Sequence, residues 1–476
     1  MKRKTKIVAT LGPAVDSLDG VRTLIAAGLN VARFNFSHGT AEDHARRHEW
    51  VRTAAAEVGV SIATMQDIQG PKIRVGTFPT GSVTLEQGAI VMLEPGEGEG
   101  DESTICIAYL ECVDLQPGSE VLLADGMIRL EVVSAGNGGV RTRVVGRGEL
   151  LNHKGAAFPG SDTTVPVITE KDVEDLAIGR EIGFDLIAAS FVSSGEDIRD
   201  IRKHLGHTPI IAKIESAAGY HNLDDILTEA DGAMVARGDL GVELSLESVP
   251  RAQKEILETT NRVGKITITA TEMLESMITN PRPTRAEVTD VYRSVLDGTD
   301  AVMLSAETAI GAYPSEAIRT MDVISREAEQ SPEFVSAPYQ AMLHDRSPYA
   351  SAVAQAAVET ANRLEVGTIV VFTESGTTAR LISKHRPRAD VYAFTPHEAT
   401  YRQMALYGCI TPLHTPIHRS TDEMLTYAEE YLLEHRIVNI GDTTVMIAGI
   451  PPNLQASTNL MKVHNVGSAT DGAPRH

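Results

Sequence analysis

Two short apolar runs, Ile210–Ala212 and Gly232–Ala236, stop abruptly at charge: Lys213 and Glu215 follow the first, Arg237 and Asp239 the second. The surrounding text reads IIAKIESAAGY, a helical interval, then GAMVARGDL. A lysine, an arginine and two carboxylates converging on one end of a sheet are what joint binding of a divalent metal and an anionic substrate requires. Other apolar runs end in the same way. Thr10 closes one; Arg33 and Asn35 close the next, with Ser37 and His38 just beyond; then come Asp67, Ser190, Thr271 with Glu272, and Ser305 with Glu307. Any one of these reads equally well as a helix cap or a surface charge. Their recurrence after eight successive runs does not.

The runs that carry them are Lys6–Leu11, Asn30–Phe36, Ser61–Asp67, Asp185–Val192, Pro209–Glu215, Gly232–Ala236, Lys265–Ala270 and Asp300–Leu304. Strands buried on both faces read as near-continuous Val/Ile/Ala stretches, and eight of them alternating with helices is the count for a closed (β/α)8 TIM barrel. That fold holds its active site at the carboxyl ends of the strands, where the polar residues fall. Helices are expected over Ser17–Ala27, Glu42–Val58, Glu170–Ile182 and Leu246–Val263, and Thr284–Arg285–Ala286–Glu287 is a capping box that starts another.

The spacing breaks between the third and fourth strands, where residues 71 to about 165 replace a normal crossover. This insertion reads as β, with alternation at Ala89–Leu93 and a hairpin in which IRLEVV and VRTRVV flank SAGNGG. An all-β module over the carboxyl face is positioned as a lid. The expected division is therefore a barrel over residues 1–70 and 166–335, a cap over 71–165, and an α/β domain over 350–476. A linker is expected over 331–349, which carries three prolines. The last domain should hold a helix at Ala350–Leu364, strands at Thr368–Thr373 and Asp390–Thr395, a helix at Thr377–His385, and strands near Thr443–Ala448 and Leu460–Val466. Its loop Thr373–Glu374–Ser375–Gly376–Thr377–Thr378 offers hydroxyls and backbone donors at a helix start, either a phosphate cradle or an ordinary N-cap turn. The polar tail from Gly467 is expected to be disordered.

The 476 residues are 42% hydrophobic, enough for a sizeable core, and the formal net charge of −21 disfavours nucleic acid and anionic membranes as partners. Three cysteines, Cys106, Cys112 and Cys409, lack metal-ligand spacing and point to a reducing compartment. The N-terminal apolar patch is too short for a signal peptide, and no run approaches the roughly 18 residues of a membrane span. The expected location is the cytoplasm.

The segments KIVATLGPA, VARFNFSHG, MQDIQGPKIRVG, IAKIES, MVARGDLGVEL, TATEMLESM, NPRPTRAE and MLSAETAIGAYP, in this order, resemble the pyruvate kinase family across nearly the whole chain. The resemblance implies phosphoryl transfer from phosphoenolpyruvate to ADP, giving pyruvate and ATP, in a homotetramer whose C-terminal domain carries a site for a phosphorylated allosteric effector. It implies Mg²⁺ on Glu215 and Asp239, with Mn²⁺ as an alternative. Lys213 and Arg33 would meet the transferring phosphoryl group, the backbone at Ala236, Arg237, Gly238 and Asp239 would receive the substrate carboxylate, and Thr271 would organise the proton donor to the enolate. Asp67, Ser305 and Glu307 would support these groups from behind. Asn35, His38, Arg74 and Lys154 match positions near the ADP phosphates. Phosphoryl transfer is mostly positioning and charge neutralisation, which suits this inventory.

Three departures stand out. Glu272 replaces a common glutamine, and Asn453 and Ala456 replace glycines in PPNLQASTNLMKV, putting the usual effector-loop geometry in doubt. Lys72 and Ile68 replace the glutamate and threonine of relatives that need K⁺. A tethered ammonium at residue 72 would supply the charge that K⁺ brings, so K⁺ should not be required. Two rival readings remain: a lyase or aldolase using Lys213 as a Schiff-base amine, and a catalytically silent metabolite sensor.

Overall fold

The computed structural model describes residues 2–136, 139–161, 163–336, 348–450 and 458–468. Eight parallel strands close into a barrel: Lys6–Thr10, Val31–Asn35, Ala63–Asp67, Leu186–Ala189, Ile210–Ile214, Gly232–Ala236, Ile266–Ala270 and Ala301–Leu304. All eight expected runs are present: Gly232–Ala236 keeps its expected bounds and the other seven are shorter by one or a few residues at one or both ends. Closure pairs the first strand with the last, Lys6 against Ala301 through Ala9 against Leu304. Lumen residues such as Val8, Met65, Ile211, Met234 and Met303 are buried within one apolar cluster. The outward residues, among them Phe34 and Leu304, pack against helix residues such as Ile318 of the surrounding ring.

Caps set the helix starts. Ser17, Thr40, Thr169, Ser194 and Thr284 each accept the backbone N–H three residues on, and the Thr284–Glu287 capping box forms as expected. The helix expected over Leu246–Val263 is divided into a 3₁₀ turn at Leu246–Ser248 and a helix at Val249–Arg262. Pro250 is the reason, since a residue without an N–H fits only in a first turn.

The insertion is a separate β module with its own apolar core, built on Val91, Leu93, Ile105, Leu123, Ile128 and Leu130. Its main sheet has six strands. The expected hairpin joins Ile128–Gly136 to Gly139–Val144 antiparallel, and the alternation at Ala89–Leu93 becomes the strand Ile90–Pro95. The chain enters and leaves this module side by side, with Arg74 paired to Gly155 and Val75 N–H donated to Lys154 O at 2.9 Å.

The C-terminal domain is a five-stranded sheet ordered Ile410–His414, Asp390–Thr395, Thr368–Phe372, Thr443–Ala448, Leu460–Asn465, parallel except for the last strand. The strand Ile410–His414 and the helices Glu398–Gln403 and Thr421–Glu434 were not anticipated. Pro412 disguises that strand, and its place at the sheet edge is what tolerates a proline. The two ends of the expected linker are helical: Pro332–Ser336 forms a turn whose Phe334 is buried against the barrel, and the next helix begins at Pro348, ahead of the anticipated Ala350. Residues 337–347 lie outside the described residues, as do Asn453, Ala456 and the tail beyond Ser468. The tail's first residue, Gly467, is held, donating its N–H to Glu429 Oε1 at 2.8 Å. Among the described residues no helix is long and apolar enough to cross a membrane.

The sheet domain plugs the amino-terminal mouth of the barrel. Lys6 Nζ donates to Ile410 O at 2.6 Å, Cys409 N–H to Lys4 O at 2.8 Å, and Arg402 Nε meets Asp185 Oδ1 at 2.7 Å. The barrel lumen and one face of the C-terminal sheet form a single apolar cluster.

Candidate active site at the carboxyl end of the barrel

Lys213, near the end of its strand, is the centre of the cluster. Its Nζ lies 2.7 Å from Ser190 Oγ, 3.0 Å from Glu215 Oε1 and 3.2 Å from Asp67 Oδ1. Burial pulls the pKa of this ammonium down, but the Asp67 and Glu215 carboxylates outweigh it and hold it above the ordinary lysine value. Across the lumen Arg33 donates Nε to Asp67 Oδ2 at 2.6 Å and Nη1 to Thr10 Oγ1 at 2.8 Å. Burial penalises the Asp67 charge, yet Arg33 and Lys213 keep this carboxyl below its usual range. Asp67 is thus the shared anchor of two cations.

Glu215, 2% exposed, accepts the Phe191 N–H on Oε2 at 2.7 Å and Lys213 on Oε1. Burial raises its pKa, with Lys213 opposing and the Asp239 carboxylate adding to the rise. A cation arriving between Glu215 and Asp239 would reverse that repulsion. Asp239 itself is half-buried and meets Lys72 Nζ at 2.7 Å. Among the described residues no group of three or more His, Cys, Asp or Glu side chains is gathered as a metal site. Two carboxylates nevertheless suit Mg²⁺, which keeps several waters and takes substrate oxygens rather than an all-protein cage.

Thr271 and Glu272 stand just past the strand Ile266–Ala270 with φ of 61° and 52°. Left-handed backbone is a genuine outlier for a β-branched residue, and such strain persists only where neighbours over-determine it. Here Thr271 Oγ1 accepts the Gly238 N–H at 2.9 Å, and Arg237 clamps the turn from beneath. Arg237 Nη2 donates to Thr271 O at 2.7 Å and Glu272 O at 2.9 Å, while Nη1 meets both oxygens of Asp290 at 2.7 and 2.6 Å. The Arg237 side chain therefore points away from the cleft, and only its backbone stays with the Gly238–Asp239 segment. Asp290 had no signal in the sequence beyond its place on a helix face.

Ser305 donates its N–H to Glu307 Oε2 at 2.7 Å, and Glu307 Oε1 accepts from Leu274 N–H at 3.1 Å. The buried Glu307 thus fixes the backbone behind the Thr271 turn. Asn35 Oδ1 accepts the Ser37 N–H at 3.1 Å, and His38 is exposed beside it. Arg74 and Lys154 sit on the two neighbouring chains that join cap to barrel, with Arg74 Nη1 on His153 O at 2.9 Å. A cleft of about 350 Å³ runs between cap and barrel, bordered by Lys72, Glu215, Asp239, Phe158 and Glu243. Glu243 was not anticipated. Burial raises its pKa, against the backbone N–H groups of Phe158 and Ala217 that favour its charge, so it reaches both cap and barrel.

In the distant loop, Thr373 Oγ1 accepts the Gly376 N–H at 3.0 Å, Ser375 and Thr377 hydroxyls meet at 3.0 Å, and Thr378 reaches Thr458 at 2.5 Å. Gly376 has φ of 80° with Tyr407 packed close, so the loop is built for a helix start at Thr377.

The chain matches the family model described as pyruvate kinase, barrel domain, over residues 2–318, and the one described as pyruvate kinase, alpha/beta domain, over 351–464. Curated relatives named pyruvate kinase include those of Geobacillus stearothermophilus, 44% identical over 98% of this chain and 80% of its own, and Staphylococcus saprophyticus, 43% identical over 98% and 81%. A third, from Staphylococcus aureus, is 42% identical over the same shares.

Proposed function

Given that the chain belongs to the pyruvate kinase family, whose members move the phosphoryl group of phosphoenolpyruvate to ADP as a step of glycolysis, we propose that the cluster around Lys213 carries this reaction. The observation that supports it is a buried ammonium held charged between Asp67 and Glu215. A preorganised cation stabilises charge on the transferring group and on the enolate without reorganising when the reaction occurs. Members of the family generally need Mg²⁺. Glu215 and Asp239 would hold it here, and once bound it would supply positive charge for the reacting oxygens. Arg33, fixed by Asp67 and Thr10, orients the phosphate. The backbone of Ala236, Arg237, Gly238 and Asp239 receives the carboxylate, and Thr271, pinned by Gly238, holds the group that protonates the enolate carbon, with Ser305 and Glu307 behind it. Asn35, His38, Arg74 and Lys154 line the approach of the ADP phosphates. Mg²⁺-dependent release of pyruvate from phosphoenolpyruvate and ADP is the assay. Absence of turnover would leave the silent-sensor reading standing.

An aldolase role needs Lys213 neutral, and its two carboxylate partners oppose that. Borohydride with pyruvate should leave no adduct on Lys213.

The reaction should run without K⁺. Lys72 supplies the monovalent charge, and its ion pair with Asp239 supports its presence at the site. In a buffer whose ionic strength is held by a tetraalkylammonium salt, added K⁺ should change the rate little. Lys72→Glu should create a K⁺ requirement, incompletely because buried Ile68 stays. Strong stimulation of the wild-type enzyme by K⁺ would refute this.

The loop Thr373–Thr378 is assigned to a phosphorylated effector, a nucleotide or sugar monophosphate ahead of a sugar bisphosphate, acting in a cytoplasmic homotetramer. Coupling of about 1–3 kcal/mol would shift the phosphoenolpyruvate saturation curve visibly. Binding that survives Thr377→Glu with Thr378→Glu would make the loop structural.

A further inference from the structure

The two carboxylates assigned to the metal are not equally free to receive it. Both oxygens of Glu215 have partners that belong to the site's permanent frame, Lys213 on one and the Phe191 N–H on the other. Asp239 instead meets Lys72 Nζ at 2.7 Å, and this pair is the more exposed one, with side chains 27% and 31% accessible against 2% for Glu215. The two partners also come from different bodies. Lys72 lies on the stretch that leads from the third barrel strand into the cap, directly after Gly70 and Pro71. Its stem passes close to Gly155 on the returning chain, where an added Cβ would stand 3.6 Å from Lys72 Cε. Asp239 sits on the barrel, in the short helix Arg237–Glu243. The ion pair therefore spans the seam at which cap meets barrel.

From this we infer that Lys72 is a tethered counter-ion for the metal site. Its ammonium holds Asp239 in the substrate-free enzyme and must leave when a divalent cation arrives, because like charges that close repel. The flexible four-carbon stem lets the ammonium turn toward an anionic phosphate entering the same cleft. Metal entry and phosphate entry then favour one another: the metal frees the lysine for the phosphate, and the phosphate draws the lysine off the aspartate. This rests on the reading of Glu215 and Asp239 as the metal ligands and adds to it a reason for the free enzyme to bind metal weakly.

Binding of Mn²⁺ to the full-length protein, read by the loss of the free-ion signal in electron paramagnetic resonance with no substrate present, tests the exchange without any turnover. Lys72→Met should bind Mn²⁺ more tightly than wild type by a factor within the range of about 5–150 that couples linked sites. Arg74→Met removes one positive charge from the same entrance without touching Asp239, and should leave the affinity within about twofold, as expected of a screened, more distant charge. Phosphoenolpyruvate without ADP should tighten Mn²⁺ binding by a larger factor in wild type than in Lys72→Met. Unchanged Mn²⁺ affinity in a folded Lys72→Met protein overturns the inference, as does an equal gain in Arg74→Met. Asp239→Asn separates the two levels. Loss of Mn²⁺ there with no gain in Lys72→Met sinks only the counter-ion role, whereas wild-type binding by Asp239→Asn removes the metal-site reading beneath it.

Discussion

The two mouths of the barrel draw on the same chemical inventory and use it oppositely. At the amino-terminal mouth the barrel and the C-terminal domain are joined by buried cations held on fixed acceptors. Lys384 is bound to Asp300 and to Asn261 Oδ1 at 3.0 Å, Lys6 to Ile410 O, Arg386 to the carbonyls of Val295 and Leu296, and Arg402 to Asp185. At the carboxyl mouth Lys213, Arg33 and Lys72 share three carboxylates, and a cleft lies open beside them. The lysine pKa values show the contrast. Burial wins at the base, where it lowers Lys384 despite Asp300 and brings Lys6, whose Nζ donates to the Ile410 carbonyl, to about 8. Burial loses at the top, where two carboxylates raise Lys213. A buried cation facing carbonyls, amides or a single carboxylate serves stability and orientation. A buried cation between two carboxylates stays charged and can still pass part of its field to a ligand.

The largest loss of stability is expected at the base. Lys384→Met should cost about 3–5 kcal/mol in denaturant unfolding, because it leaves the Asp300 carboxylate buried without its cation. The kcat of the folded fraction should hardly change. A catalytic defect without a stability loss would abolish the distinction between the two mouths.

At the carboxyl mouth the expected damage is catalytic. Lys213→Met should lower kcat by about 10²–10³, the range for loss of one preorganised electrostatic donor, with much less effect on substrate affinity. Near-normal turnover by a folded Lys213→Met enzyme would remove this residue from the transition state.

Acid sharpens the comparison from a third place. His44 and His48, packed against Phe34, Phe36 and Phe184 on the flank of the barrel, are pushed down by burial to about 4. The unfolded chain, with histidines near 6.5, binds more protons than the native one between these values, so stability should fall as pH drops from about 6.5 toward 4. His44→Leu should flatten the unfolding free energy against pH over that window. An unaltered slope would mean that carboxylates account for the acid loss.

The smallest effect tests strain at the site. Glu272→Gly removes the side chain from a left-handed residue and should stabilise by at most about 1 kcal/mol, since relief of φ strain is offset by the greater freedom of glycine in the unfolded chain. A marked drop in Tm would show that the Glu272 side chain, rather than the Arg237 clamp, holds the turn.

Much of this was legible in the residues alone, for identifiable reasons. Runs such as Ile210–Ala212 and Gly232–Ala236 are apolar on both faces, as a buried parallel strand requires, and the Thr284–Glu287 box marks a helix start through bonds three residues apart. The strand-end positions of Lys213, Glu215, Arg33 and Asp67 follow from the same periodicity, so their convergence at one mouth was implied once eight strands were counted. Local pattern could not say where a long side chain would turn. Arg237 and Asp239 share one short segment and one charged sequence motif, yet Arg237 goes under the floor to Asp290, and Asp239 faces Lys72 across the cap seam. Pro412 concealed a strand that exists because the neighbouring Asp390–Thr395 offers it an edge. Local spacing decided the eight barrel strands, their order and the chemical inventory at the strand ends, because those depend on the pattern over a few residues. The choice of partner for each buried charge was left to the tertiary structure, because it depends on which distant surface closes over the side chain and on how much water that closure removes.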